Sequence, residues 1–173
     1  MLLLGMPLFG LMSVLFVWFA PATKNDAKLV TASYLSDFGM GSQEKQQFLS
    51  ANQKIFDVSY QSRPFYNAKG LRVGGTGMVN NHGTFLAGAM VSKTSEFKNF
   101  GITFGESINY SHISNYDSFK MSFFINFKTT LDVTYFITKN VHAGIGVVHI
   151  SNIGVKFPNQ GINGFRATLY FFM

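Results

Sequence analysis

The chain has 173 residues, of which 47% are hydrophobic, 16% aromatic and only 13% charged, about half the charged share of a typical soluble domain. It contains no cysteine, which excludes disulfide bonds, thiol nucleophiles and thiolate metal sites, and no spacing of His, Asp or Glu indicates another metal site or a cofactor. The formal net charge of +6 fits an anionic partner such as a lipid head group. Nucleic acid is not predicted, because the chain has no dense run of Lys and Arg.

The first element is an apolar segment at residues 2–19, followed by an Ala-Pro-Ala tripeptide that ends at Ala22. Such a segment before a small-residue A-x-A pattern is typical of a secretory signal peptide. It predicts that residues 1–22 are removed and that residues 23–173 form the mature domain. The alternative is an uncleaved membrane anchor, because about 18 apolar residues can just span a bilayer.

The rest of the chain is predicted to form eight β-strands, because apolar and polar residues alternate with a period of two. The alternation is clearest over residues 123–138, where the odd positions are nearly all apolar and the even positions mostly polar. A run of that length exceeds the average strand of about 5–6 residues, and its apolar face indicates contact with lipid. The predicted strands lie near residues 27–38, 52–63, 70–80, 84–94, 98–111, 119–138, 140–151 and 164–173.

Eight strands are about the smallest usual number for a closed membrane barrel, whose lumen is then filled by side chains. The sequence therefore predicts an all-β fold, an eight-stranded antiparallel transmembrane β-barrel. Its last strand is aromatic and amphipathic to Met173, similar to the recognition signal of bacterial outer-membrane barrels. Residues 41–54 are predicted to form a long loop. Five glycines are expected either to relieve crowding in the lumen or to mark strand irregularities: Gly74, Gly75, Gly77, Gly144 and Gly146.

Chemistry is predicted at the end of the seventh strand, where His149 and Ser151 share one face by period two. Their Cα atoms would be about 7 Å apart, so that the imidazole and the hydroxyl can reach hydrogen-bonding distance. A base within reach of a hydroxyl is what a serine nucleophile requires. A polar pair on a lipid-facing stripe is also unexpected without a function. The following Pro- and Gly-containing turn offers Asn159 and Asn163 to orient the imidazole or to bind an oxyanion.

Residues 149–156, His-Ile-Ser-Asn-Ile-Gly-Val-Lys, are followed by Pro-Asn at 158–159 and Gly-Ile at 161–162. This pattern resembles the C-terminal signature of the PagL-type lipid A 3-O-deacylases. Members of that family are eight-stranded outer-membrane barrels in which His, Ser and an acidic residue hydrolyse the ester-linked acyl chain at the 3-position of lipid A. The resemblance implies the same fold, reaction and substrate here.

The resemblance implies that Ser151 is the nucleophile and His149 the base. The best-known members carry Glu as the third residue of the triad, whereas this chain has Asn163. A neutral amide can still hold an imidazole tautomer, as in Cys-His-Asn proteases, although it stabilises the imidazolium less than a carboxylate does. The oxyanion and the substrate would be held by three further residues: Asn159, Asn152 and Gly154.

The tetrapeptide His-Ile-Ser-Asn also occurs at residues 112–115 without the glycines, lysine and proline that follow the second copy. We interpret this first copy as a polar strand end that enters a loop. For His149 and Ser151 the alternative to a catalytic role is similar: they would be polar residues of a strand end at the membrane interface. Asp132 is expected to pair with Lys or Arg inside the barrel, because buried charge should be paired. Glu106 lies in a strand that the sequence does not place near Ser151.

These observations predict a serine esterase of the Gram-negative outer membrane that acts on lipid A, with lipopolysaccharide in the outer leaflet as its partner. Two alternatives remain open: a phospholipase A-like esterase on the same barrel, and a non-catalytic barrel with a structural or adhesive role. The oligomeric state is also open, and a homodimer is among the states that the sequence allows.

Overall fold

The computed structural model describes residues 23, 25–37, 54–65, 69–112, 124–152 and 162–173, with the backbone alone at 36, 37 and 162. Within these residues eight strands form a closed barrel in which each strand is antiparallel to its neighbours and β1 pairs with β8. The eight-stranded antiparallel barrel predicted from the sequence is confirmed. The strands are β1 (Leu29–Asp37), β2 (Ile55–Gln61), β3 (Leu71–Asn80), β4 (Phe85–Phe97), β5 (Phe100–His112), β6 (Ile125–Phe136), β7 (Val141–Ser151) and β8 (Ile162–Phe172).

Two of the predicted segments lie wholly or mostly outside these residues: the signal peptide at 1–22 and the loop at 41–54, of which only residue 54 is described. The part of the chain that the structure describes contains no helix long and apolar enough to cross a membrane. Most strand ends lie within about three residues of the predicted ones. The main difference is β6, which begins at Ile125 and has Phe124 outside it, whereas the sequence predicted a start near residue 119.

Two turns explain where the predicted strands gain or lose residues. β4 continues to Phe97, three residues beyond its predicted end, because a tight turn with Lys98 at φ 45° pairs it at once with β5. β6 ends at Phe136, since the Thr138 side chain accepts hydrogen bonds from the backbone N–H groups of Asn140 (3.2 Å) and Val141 (3.0 Å). The Thr138 hydroxyl thus satisfies these N–H groups within the turn, and the pairing of β6 with β7 ends there.

Alternation gives the barrel two different walls. On β6 the even-numbered residues from Asn126 to Thr134 are buried, while the odd-numbered ones are exposed or half-buried. The outward positions carry large apolar side chains all round the barrel, with Tyr135 62% and Ile145 73% exposed. Apolar surface of this extent is unusual on a protein that faces water and fits the lipid-facing band of a membrane barrel.

A charge-balanced network fills the middle of the lumen. Lys128 Nζ lies 2.7 Å from Asp57 Oδ1, and Arg166 lies 3.4 Å from the other oxygen of the same carboxylate. Arg166 Nε is also 3.1 Å from Asp132 Oδ1, and the Tyr170 hydroxyl donates to Asp132. Two acids therefore meet two bases where water is scarce, which offsets the cost of burying them. The prediction that Asp132 pairs with a cation inside the barrel is confirmed.

Apolar side chains pack at both ends of this network. One cluster lies towards the β7–β8 connection, and its members are Leu35, Ile55, Met78, Leu86, Val148 and Ile150. The other lies at the opposite end and contains Leu29, Tyr170 and Phe172. The space left among the polar lumen residues is about 20 Å³, roughly the room of one water molecule. The described part of the lumen is thus packed, as predicted for a barrel of this size.

Three of the five glycines singled out in the sequence face the lumen: Gly74, Gly144 and Gly146. At Gly146 a Cβ atom would lie 2.0 Å from an Asp132 carboxylate oxygen, so the missing side chain makes room for the ion pair with Arg166. Of the two expectations, relief of crowding in the lumen does not apply to Gly75 and Gly77. These two residues face outward, because β3 turns its even-numbered residues towards the lumen.

Candidate active site

The predicted site lies at the end of the barrel that carries the long connections. Residues 38–54, 113–124 and 152–161 link strands at this end, together with the short turn at 81–84, whereas the other end has the short turns 98–99 and 137–140 and the connection 62–70. In outer-membrane barrels the short turns face the periplasm and the long connections the outside. The longest connections therefore make the end of β7 the expected outer side of the barrel.

His149 and Asn163 face each other across the pairing of β7 with β8. The imidazole Nδ1 and the Asn163 Oδ1 are 2.8 Å apart. Because an amide oxygen only accepts hydrogen bonds, Nδ1 carries the proton and donates to it. In the neutral ring this leaves Nε2 with a free lone pair. The contact therefore selects the tautomer in which Nε2 can act as a base.

Ser151 is the last residue of β7 and lies on the same face as His149, two residues further along. Its neighbour in register on β6 is Phe127, and only 5% of the residue is exposed, whereas His149 is half-buried. Among the described residues the hydrogen-bond partner of the imidazole is Asn163, and no hydrogen bond joins the imidazole to the Ser151 hydroxyl. Catalytic hydrogen bonds are often loose before a substrate binds, so the arrangement is compatible with a serine nucleophile and its base.

A second hydrogen-bonded pair continues the same row of outward residues. Thr129 on β6 is the register partner of His149, and Glu106 on β5 is the register partner of Thr129. The Thr129 hydroxyl donates to Glu106 Oε2 over 3.0 Å. We call the four residues Glu106, Thr129, His149 and Asn163 the polar row. Sequence analysis noted Glu106 but did not place it here, since two cross-strand registers are needed to do so.

An open apolar groove begins directly below the polar row. Val147, Phe165 and Leu131 each lie two residues from a member of the row and line the groove, whose volume is about 780 Å³. Its other lining residues include Tyr34, Val133, Ile145 and Ala167. This volume falls in the range of ligand sites, roughly 300–1,000 Å³. The groove is thus an open, mostly apolar surface of the lipid-facing wall that starts next to the polar row, although no residue of the row lines it.

The remaining predicted site residues are only partly visible. Asn152, the first residue after β7, is buried with 1% exposure, while Asn159 and Gly154 lie outside the described residues. In the first copy of the tetrapeptide His112 ends β5 and stacks on Phe85 with ring centroids 5.4 Å apart. Within the described residues no three His, Asp or Glu side chains are grouped so as to hold a metal ion.

The fold and these residues define a class of protein, a small outer-membrane β-barrel with a polar site on its lipid-facing wall. The family model of the lipid A 3-O-deacylases (PagL) matches residues 38–171, or 134 of the 173 residues. The chain belongs to this family. It is therefore an enzyme of the outer membrane that hydrolyses carboxylic ester bonds, as the sequence predicted.

Solved structures agree on the barrel. The chain is similar to the crystal structure of the outer membrane enzyme PagL, at 13% identity and a TM-score of 0.54 over 84% of this chain and 99% of that one. The N-terminal β-barrel domain of Pseudomonas aeruginosa OprF gives 9% identity and a TM-score of 0.55 over 85% and 98%. A de novo designed transmembrane β-barrel gives 8% and 0.57 over 88% and 99%. Among curated proteins none matches the chain significantly. At such identities these likenesses show the fold alone.

Proposed function

We propose that this enzyme removes an ester-linked acyl chain from lipid A, with Ser151 as the nucleophile, His149 as the base and Asn163 as the residue that orients the imidazole. The observation that carries the proposal is the 2.8 Å contact between His149 Nδ1 and Asn163 Oδ1. It holds the base in the tautomer whose Nε2 can take a proton, on the face that also carries Ser151.

The reaction would follow the serine-hydrolase sequence. The Ser151 Oγ attacks the ester carbonyl carbon while His149 Nε2 takes the hydroxyl proton. The ester C–O bond then breaks, and the imidazolium returns that proton to the departing sugar oxygen. Water, activated by the same imidazole, hydrolyses the acyl-enzyme and releases the fatty acid. Asn159, Asn152 and Gly154 are proposed to bind the oxyanion and the substrate on the strength of the sequence motif.

The groove below the polar row supports a lipid substrate rather than a water-soluble ester. Its walls are apolar, and they open to the side of the barrel where acyl chains lie. A chain that enters beside Val147 would bring its ester to the level of His149. The substrate could then be cleaved without leaving the membrane, and its chain would exchange lipid contacts for groove contacts at little cost.

Mass analysis of lipid A from cells that produce the wild type, Ser151→Ala or Ser114→Ala tests this proposal. We expect one acyl chain to be lost with the wild type and with Ser114→Ala, and no loss with Ser151→Ala. Unchanged lipid A together with new lysophospholipid would instead identify a phospholipase. No change in any lipid with the wild type would contradict the proposal that lipid A is the substrate.

We also propose that residues 1–22 are a signal peptide cleaved after Ala22. Besides the A-x-A pattern, the position of Thr23 supports this, because its hydroxyl contacts Glu96 next to the short β4–β5 turn. Cleavage would leave the new N-terminus at the periplasmic end of the barrel. N-terminal sequencing of the outer-membrane protein should begin at Thr23, and a start at Met1 would contradict the proposal.

A further inference from the structure

We infer that Glu106 is a positioning residue of this active site, and that its carboxylate supplies the negative charge which the neutral Asn163 lacks. The inference rests on the proposed function of His149 and Ser151. It concerns a residue two strands away from the proposed base.

The first observation is that Glu106 stands on a wall that carries few charges among the described residues. It points outward from β5, half-buried, between the apolar residues Phe104 and Ile108 on the same face. An ionisable side chain in the lipid-facing band is costly and normally marks a function. The acids of the lumen need no such explanation, because Asp57 and Asp132 are paired with cations.

The second observation is the position of Glu106 relative to the base. Glu106, Thr129 and His149 are consecutive register partners on β5, β6 and β7. Neighbouring strands are about 4.8 Å apart, which puts the Cα atoms of Glu106 and His149 within about 10 Å of each other. The hydrogen bond from Thr129 to Glu106 draws the carboxylate towards β6, on the side of His149.

The chemistry of the proposed triad gives this charge a role. When His149 takes the Ser151 proton it becomes an imidazolium, and Asn163 can accept its Nδ1–H bond but cannot balance its charge. A carboxylate nearby, in a medium that screens poorly, favours the charged ring. Because proton transfer from Ser151 develops the charge on the ring as the reaction proceeds, the interaction is strongest in the transition state and raises kcat rather than affinity.

Other charges on this wall are few among the described residues. On β4 the register partner of Glu106 is Val91, and Lys93 lies two residues further along the same face. On β6 and β8 the neighbouring outward residues of the row are uncharged, and on β5 the next titratable groups on this face are Tyr110 and, at the strand end, His112. Lys93 would partly offset the effect of Glu106, so the charge balance at His149 depends on both.

The test compares Glu106→Gln with the wild type in detergent, using lipid A as substrate and Glu96→Gln, the same chemical change near the opposite end of the barrel, as the matched control. For Glu106→Gln we expect kcat to fall about tenfold, within the range of coupled neighbours, with KM unchanged. The acidic limb of the pH–rate profile should move to lower pH, because the protonated imidazole has lost a favourable charge. Glu96→Gln should change neither.

A double variant makes the inference sharper. Asn163→Asp places a carboxylate directly at Nδ1, and in that background Glu106→Gln should cost no more than about twofold. Thr129→Val, which removes the hydrogen bond but keeps the side-chain shape, should cost less than Glu106→Gln. Three results would overturn the inference: a wild-type kcat and pH profile for Glu106→Gln, a full tenfold loss in the Asn163→Asp background, or a loss that appears in KM or in the unfolding temperature.

Ser151→Ala, measured in parallel, separates this inference from the proposed function. If Ser151→Ala is inactive and Glu106→Gln behaves as the wild type, only the role of Glu106 is wrong. If Ser151→Ala retains full activity, the proposed function fails and the role of Glu106 fails with it.

Discussion

On strands β6 to β8 the polar side chains of the inner wall and those of the outer wall have different surroundings and different partners. Inside, Lys128, Asp132 and Arg166 belong to a network in which each charge meets an opposite one within 3.4 Å. Outside, His149 and Asn163 form a single neutral hydrogen bond among apolar neighbours. The same three strands thus hold a closed set of charges on one side and an open polar site on the other.

This difference indicates which groups hold the fold and which perform chemistry. Buried charges that satisfy one another have no capacity left for a substrate, and removing one member leaves its partner stranded. The outer pair engages only Nδ1 of His149 and leaves Nε2 outside the hydrogen bond, as a general base requires. We therefore expect inner substitutions to reduce stability and outer ones to reduce activity at unchanged stability.

The largest expected effect is that of His149→Ala, which should lower kcat/KM at least a thousandfold, as removal of the base does in serine hydrolases. The unfolding temperature should stay within a few degrees of the wild type, because no buried charge is uncovered. His112→Ala, the same change in the first copy of the tetrapeptide, is the control and should leave activity intact. Equal losses in the two variants would show that the surface histidines act on folding or membrane insertion instead.

On the inner wall, Asp57→Ala should destabilise the barrel by about 3–5 kcal/mol, the usual cost of removing one partner of a buried ion pair. Asp57 accepts contacts from both Lys128 and Arg166, so its loss leaves two cations without their shared carboxylate. Urea unfolding in detergent measures the effect, and activity at low urea should remain close to that of the wild type. A large loss of activity in the folded variant would contradict the expectation that inner-wall residues stabilise the fold and outer-wall residues perform the chemistry.

Most of the fold could be predicted from the sequence, because alternation over residues 123–138 reports directly which side faces lipid. A glycine has no side chain to contribute to this alternation, so the sequence could not decide whether Gly75 and Gly77 face the lumen, and the structure places them on the outer wall. The end of β4 was missed because Lys98 adopts a left-handed φ without the Asn-Gly or Asp-Gly sequence that usually marks such turns.

Likewise, one part of the candidate site could be predicted from neighbouring residues in the sequence, and the other part depends on the pairing of distant strands. His149 and Ser151 share a strand face, which period two alone predicts. The contact between His149 and Asn163 depends on how β8 returns after residues 153–161, and the link from Glu106 through Thr129 depends on two more pairings. Register between strands is set by the whole barrel, so the sequence could offer Asn163 as a candidate, but the structure was needed to pair it with His149 and to place Glu106 and Thr129 in the same row.

The third prediction concerns the neutral partner of the base. Asn163→Ala should lower kcat about a hundredfold, because the imidazole loses the acceptor that fixes its tautomer. The effect should be smaller than that of His149→Ala, since the base itself remains. Asn163→Gln serves as the control that keeps the amide but moves its oxygen, and it should also lose activity. An unchanged kcat in Asn163→Ala would mean that the 2.8 Å contact does not orient the base.

The smallest expected effect lies in the groove. Val147→Trp would fill the space two residues below His149, and we expect kcat/KM to fall about tenfold for a long-chain ester, a typical penalty for a few misplaced methylene groups. A short-chain ester, which ends before the obstruction, should be cleaved normally. Val58→Trp is the matched control, because Val58 is 56% exposed on the outer wall but does not line this groove. Equal losses for short and long esters would place the acyl chain elsewhere on the barrel, and the outer wall below the polar row would then serve only as contact with lipid.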